Sequence, residues 1–205
     1  MNRKVEMQNY SDLFFFFRLG NDRSCVHRFT SHALVYVYCG ELEITVPGQT
    51  RTIKSGEAIF VCKETCLSMT VCRKNVKETR IAILHIPESF LREFYFTIEK
   101  QETVFDVPDG ALFLILQKES IDSLFGSMIP YYGTDVMPGE KILILKIIEA
   151  VYALLEMDGL FYALLFEFAN GGKVDILDLL ADTYTRPFYW RINDKSHIEL
   201  TNKLN

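Results

Sequence analysis

The sequence has no uninterrupted apolar run of membrane length, no cluster of basic charge, no closely spaced pair of histidines and no glycine-rich loop ahead of a helix. Each absence excludes a class of protein. The longest apolar tract, residues 142–168, is broken by Lys146, Glu149, Glu156, Asp158 and Glu167, which a membrane span does not tolerate. With a formal net charge of −5 and no basic cluster beyond Arg73-Lys74, the chain offers a phosphate backbone no positive stripe, and no direct DNA binding is expected. A metal-holding jelly roll needs two histidines separated by one residue, then a carboxylate and a further histidine on a later strand. Here His27 and His32 are five apart, His85 is isolated and His197 lies in the tail, so no metal and no cofactor is expected. Cys62 and Cys66 lack a second pair to complete a zinc site and read as small buried hydrophobes. No Gly-x-Ser-x-Gly is present, and Ser31 and His32 are neighbours whose side chains point to opposite faces of an extended segment, so no catalytic residue is assigned. The cysteines number five, and the apolar run at 13–17 is too short for a secretory core. Reduced thiols and a cytoplasmic location are the expectation.

What the chain does have is concentrated in residues 33–61. Short runs rich in Val, Ile, Tyr and Phe are punctuated by Cys39-Gly40, Pro47-Gly48 and Ser55-Gly56, where glycine and proline supply turn geometry. Further strands are predicted at 10–19, 25–29, 66–71 and 80–86. That makes about eight strands in about 80 residues, the density of a jelly roll closed on itself. Four consecutive phenylalanines, Phe14 to Phe17, cannot all face one side of a strand, so the run is either covered on both faces or forms an arm over a pocket. Pairing across the Cys39-Gly40 turn would set Val37 opposite Leu42, Val35 opposite Ile44 and Ala33 opposite Val46. Tyr36 and Tyr38 then face the other way, toward the phenylalanine run, a helix or a partner. If the Pro47-Gly48 loop has two residues, Arg51 pairs with Ile44 and shares its inward face, where an unpaired guanidinium is costly. Either the register differs and Arg51 is solvated, or Arg51 awaits a carboxylate or polyol ligand. His85, within the apolar run 81–86, reads as a core or edge histidine.

After Pro87 the period changes from two to nearly four. Helices are predicted over 88–98, 121–128, 140–158, 160–168 and 174–184, with 112–116 of uncertain type. In the helix 140–158 the polar positions Lys146, Glu149 and Glu156 mark one narrow wet stripe with Ala153 between them, and the rest is apolar. Such a helix needs more than one neighbour. The expected class is α+β, a cupin-like double-stranded β-helix followed by apolar helices: residues 1–110 a jelly-roll region, 111–184 a helical region, and 185–205 a polar, poorly ordered tail.

The order of these parts, with Tyr36-Val37-Tyr38-Cys39-Gly40-Glu41, then Gly48, then Lys54-Ser55-Gly56-Glu57-Ala58-Ile59-Phe60, resembles the N-terminal sensor and dimerisation domain of AraC-type bacterial transcriptional regulators. The stretch Gly172-Lys173-Val174-Asp175-Ile176 is similar to that family's approach to its DNA-binding half. The resemblance implies a non-enzymatic homodimer with an unknown small-molecule effector in the barrel. Pocket candidates are then Arg51, Val35, Val37, Ile44, Phe60, His85 and Phe17. Dimer-face candidates are Leu145, Ile148, Tyr152, Leu155, Phe161 and Leu165. Residues 186–205 match nothing in the two helix-turn-helix units that follow in the family, so the chain is expected to lack that half. Two alternatives stand beside this reading: a cupin-fold enzyme with an atypical site, and a non-sensing dimerisation module acting on full-length partners.

Overall fold

The computed structural model describes residues 6–20, 24–72, 78–99, 109–116, 119–132 and 138–170. The strands are β1 (Glu6–Ser11), β2 (Phe14–Gly20), β3 (Ser24–Phe29), β4 (His32–Cys39), β5 (Glu41–Val46), β6 (Gln49–Lys54), β7 (Glu57–Val61), β8 (Thr65–Val71), β9 (Glu78–Ile86) and β10 (Leu112–Leu114). They form two sheets, one ordered β1-β2-β9-β4-β7-β10 and the other β3-β8-β5-β6, with every pairing antiparallel. This is a jelly-roll sandwich.

β4 shows why the larger sheet has two jobs. Residues 32–37 are all buried, because the strand lies between β9 and β7 and is covered on both faces. Ala33, Val35 and Val37 face the smaller sheet and join an aliphatic interior with Leu42, Ile44, Ile53, Leu67, Met69, Ile81 and Ile83. Leu34 and Tyr36 face the helices instead. The smaller sheet has only one covered face, so β5 alternates buried Leu42, Ile44 and Val46 with exposed Glu43 and Thr45.

The expected hairpin between β4 and β5 does not form. Gly40 sits at φ +94°, and the chain there crosses from one sheet to the other, so Val35 and Ile44 belong to one interior but to different sheets. A Cβ at Gly40 would lie 2.4 Å from the Thr79 hydroxyl oxygen, leaving glycine alone able to make this crossing. The β5–β6 hairpin does form around Pro47-Gly48, with Val46 opposite Gln49 and Ile44 opposite Arg51. The phenylalanine run is a covered strand between β1 and β9. Phe14 and Phe16 pack into the helical layer, while Phe17, with Phe15 beside it, packs on the interior.

The helical layer comprises α1 (Glu88–Tyr95), α2 (Glu119–Gly126), α3 (Glu140–Met157), α4 (Gly159–Leu165) and the single turn α5 (Glu167–Asn170). α1 and α3 each stop short of the span expected, and 160–168 is divided between α4 and α5. α3 buries Leu143, Ile144, Ile147, Ala150, Val151, Ala153 and Leu154. Ala153, expected on the wet stripe, is therefore core, whereas Ile142, Leu145 and Tyr152 are exposed. Asp158 ends α3 and caps α4, its carboxylate accepting from the Leu160 amide at 3.0 Å. The predicted helix at 174–184 and the tail lie outside the described residues.

Candidate functional site

The residues singled out in the sequence fall mainly in three places: the sandwich interior, an edge groove and the outer face of α3. The interior is lined by buried apolar side chains. Val35, Val37, Ile44 and Phe17, all expected to line a pocket, are at most 5% exposed and pack on one another's neighbours between the sheets. Phe60 lies on the opposite face of its sheet, its ring 5.3 Å from His32 and 5.5 Å from Phe161. These candidates do not converge on one cavity. Alternation fixed which side chains share a face, and these aliphatic groups cluster together between the sheets.

His85 faces a ring cluster instead. Its Nδ1 meets the Ser31 hydroxyl at 3.1 Å, its ring centroid lies 5.4 Å from Phe29, 5.3 Å from Phe15 and 5.8 Å from His27, and its Nε2 is buried without a hydrogen-bond partner. Burial, then the neighbouring His27, pushes the His85 pKa down to about 4 against the opposing pull of Asp12. Burial lowers His27 as well. The approach of these two histidines was invisible in the sequence, because it depends on which distant strands face each other. Among the described residues no three His, Cys, Asp or Glu side chains gather to hold a metal ion.

On the other face, polar handles tie the sheet to the helices. The Tyr36 hydroxyl donates to Asp122 at 3.0 Å and its ring stacks on Phe125 at 4.7 Å. The Tyr38 hydroxyl donates to the Phe125 carbonyl at 2.7 Å. Burial, aided by Asp122, pushes Tyr36 up to about 12, so both groups act as donors at neutral pH. At the end of β7, Lys63 donates to Glu88 at 2.9 Å and pairs with Glu167 at 2.6 Å, and Arg92 sits over the Phe168 ring at 4.7 Å. Burial works against the Lys63 charge, but the bonds to Glu167 and Glu88 outweigh it and raise its pKa. Beside them His32, whose Nδ1 accepts from the Lys63 amide at 3.2 Å, is pushed down to about 4 by burial.

Arg51 is where the sequence left two options, and the register resolves half of the question. It does pair with Ile44. It is nonetheless exposed, because β6 is the outer strand of its sheet. With the Gln49 amide oxygen turned toward it, Gln49 accepts from Arg51 Nε at 2.7 Å and Nη2 at 3.1 Å. The guanidinium lines a groove of about 440 Å³ between β6, β10 and the α3–α4 elbow. Leu112, Leu114, Met157, Leu160 and Phe161 supply its apolar wall; Asp109 and Asp158 its acids.

Of the dimer-face candidates, Leu145 (51%) and Tyr152 (46%) are exposed, and Ile148 and Leu155 are half-buried. Phe161 and Leu165 are a correction: at 6% and 0% exposure they are spent on the sheet–helix core and offer no surface to a second chain. Ile142, exposed and one turn from Leu145, was missed. Its position at i−3 on an otherwise apolar helix was the available signal.

A jelly-roll sandwich with a layer of apolar helices on one sheet defines a cupin-like α+β domain. Residues 32–161 match the family described as the ExsA N-terminal regulatory domain, and the chain belongs to that family of AraC-type regulator N-terminal domains. Among solved structures, an apo variant of ToxT from Vibrio cholerae aligns with a TM-score of 0.53 at 11% identity over 89% of this chain and 74% of that one. Wild-type ToxT from the same organism, bound to an unsaturated fatty acid, aligns at 0.50 and 12% identity over 73% and 57%. A cupin superfamily protein from Desulfitobacterium hafniense aligns at 0.36 and 15% identity over 42% and 82%. The chain thus spans little more than half the length of the fatty-acid-bound ToxT. No curated protein sequence matches it. Among the described residues no helix is long and apolar enough to cross a membrane.

Proposed function

We propose that this chain is the effector-sensing and dimerising part of an AraC-like transcriptional regulator, without enzymatic activity, and that two copies join through α3. The observation that carries the dimer is the exposed stripe Ile142, Leu145 and Tyr152 on a helix whose other faces are core. Phe94 of α1, itself buried, packs beneath it, its ring 5.2 Å from Tyr152. Glu149 and Glu156 share this face, and exposed apolar side chains rimmed by polar ones mark protein–protein contacts. Association through one helix on each copy gives a self-complementary interface about a two-fold axis. Leu145→Glu tests it, since an exposed position accepts a charge without harm to the fold. Sedimentation equilibrium of the wild-type chain at micromolar concentration gives a dimer, and the variant gives a monomer. A wild-type monomer under those conditions rules the dimer out.

The wholly apolar clustering of Val35, Val37, Ile44 and Met69 between the sheets, with no polar group among them to orient a ligand, favours a second reading, a dimerisation module with no ligand between its sheets. The two readings part on whether a small molecule binds elsewhere on the domain.

A further inference from the structure

We propose that His27 and His85 form a two-imidazole site for one monovalent copper ion, Cu(I), which ties the smaller sheet to the larger one where β3 faces β9. The site depends on neither the dimer nor the sensing reading.

The two histidines come from different sheets. His27 stands on β3 on the same face as buried Phe29, and His85 stands on β9 on the same face as Ile81 and Ile83. Their ring centres are 5.8 Å apart. Two imidazoles that share one metal ion, each ligating nitrogen at about 2.0 Å, place their ring centres about 6 Å apart. The ligand spacing sought along one strand is here made across the sandwich.

His85 brings a nitrogen in need of a partner. The residue is 6% exposed, and its Nε2 is buried with no hydrogen bond, a costly state for a polar atom. In the tautomer whose Nδ1–H donates to the Ser31 oxygen, 3.1 Å away, Nε2 carries a lone pair and no proton. That is how metal-bound histidines are commonly held, the second nitrogen donating to an oxygen that fixes the ring. Of the rings around His85, those of Phe15, Phe29 and His27, only His27 has a nitrogen with which to share an ion. Burial lowers the pKa of both histidines, so both imidazoles are neutral at pH 7 and free of the proton that would compete with a metal.

The surroundings select the ion. Among the described residues no third His, Cys, Asp or Glu side chain joins the pair. Zinc takes four ligands, three or more of them from the protein, whereas Cu(I) is satisfied by two nitrogens in a near-linear arrangement. Phe15, Phe17 and Phe29 pack around His27, and a divalent charge among these rings would be expensive. Asp12, in the turn between β1 and β2, is the one acid whose field acts on His85, enough to offset a single positive charge.

The probe is Cu(I) itself, added without oxygen to the reduced intact chain in competition with bicinchoninate. One ion binds per chain, and X-ray absorption of the complex shows two nitrogen neighbours and no sulfur. His27→Gln and His85→Gln each weaken binding at least about tenfold. Because the ion joins the two sheets only in the folded chain, it raises the urea midpoint of the wild type and leaves that of either variant unchanged. Zn(II) under the same conditions binds more weakly. Sulfur neighbours in the absorption spectrum would place the copper on the chain's free thiols and overturn the site, and this result needs no variant to fold. No binding, unchanged affinity in both variants, or tighter binding of zinc overturns it equally.

Discussion

The two faces of the larger sheet are built from different materials. The face toward the smaller sheet is mainly aliphatic: Val35, Val37, Ile81 and Ile83 meet Leu42, Ile44 and Met69, with Phe17, Phe29 and the Ser31-bonded His85 gathered at one end. The face toward the helices is aromatic, with Phe16, Tyr36, Tyr38, Phe125 and Phe161 held in place by hydroxyl hydrogen bonds. The difference teaches where the domain is specified and where it is merely filled. Aliphatic groups exclude water in any close arrangement, whereas a tyrosine whose hydroxyl is buried has to find one particular acceptor. The helices are therefore docked in one orientation by the sheet.

The largest expected effect comes from truncating one ring of the aromatic face. Phe125→Ala costs about 3–5 kcal/mol and Ile44→Ala about 2–5 kcal/mol in unfolding free energy, by urea titration. What separates them is the tyrosine near-ultraviolet circular dichroism at pH 7. Phe125→Ala reduces it by removing the ring stacked on Tyr36, and Ile44→Ala leaves it intact. Equal loss of signal in both would break the distinction between the faces.

Acid tests each face through its own histidine. His32 points to the helical layer and His85 to the interior, and both have folded pKa values pushed down from 6.5 to about 4. Between those values the unfolded chain binds protons that the folded chain does not, so stability is complete above pH 6.5 and falls as the pH drops toward 4. The loss is on the order of 3 kcal/mol for each site. His32→Asn and His85→Asn each flatten the slope of unfolding free energy against pH in that window. A slope unchanged in one variant would show that its face carries no acid-sensitive group.

The smallest effect is that of a single hydroxyl. Tyr36→Phe removes the bond to Asp122 while keeping the ring on Phe125, and costs about 1 kcal/mol by urea titration. A loss below measurement would mean that ring packing alone orients α2.

Much of this contrast was legible in the residues. Alternation along 33–38 separated Val35 and Val37 from Tyr36 and Tyr38, and the two-residue Pro47-Gly48 loop set Ile44 opposite Arg51. Partners were not legible. Period two states which side chains share a face, but β4 pairs with β7 and β9 rather than with the strand that follows it. For the same reason His85 read as isolated. Arg51 was left between two readings, inward or solvated, because its pairing with Ile44 and its exposure both depend on β6 being the last strand of its sheet. The assignment of Phe161 and Leu165 to a surface failed because an apolar helix has the same pattern whether its cover comes from its own chain or another.

The crossing at Gly40 also governs how the chain reaches this state. Because β4 leaves its sequence neighbour β5 to the opposite sheet, only β1–β2 and β5–β6 among the strands pair as adjacent hairpins. Phe14 has to find Leu84, and Leu34 has to find the same residue from the other side, before the larger sheet exists at all. Loop closure over such separations is entropically expensive and rewarded late. Topology thus predicts that completion of the sheet waits for β9, and until its residues are available β2, paired only with β1, and β4, paired only with β7, each present an open apolar edge to other chains.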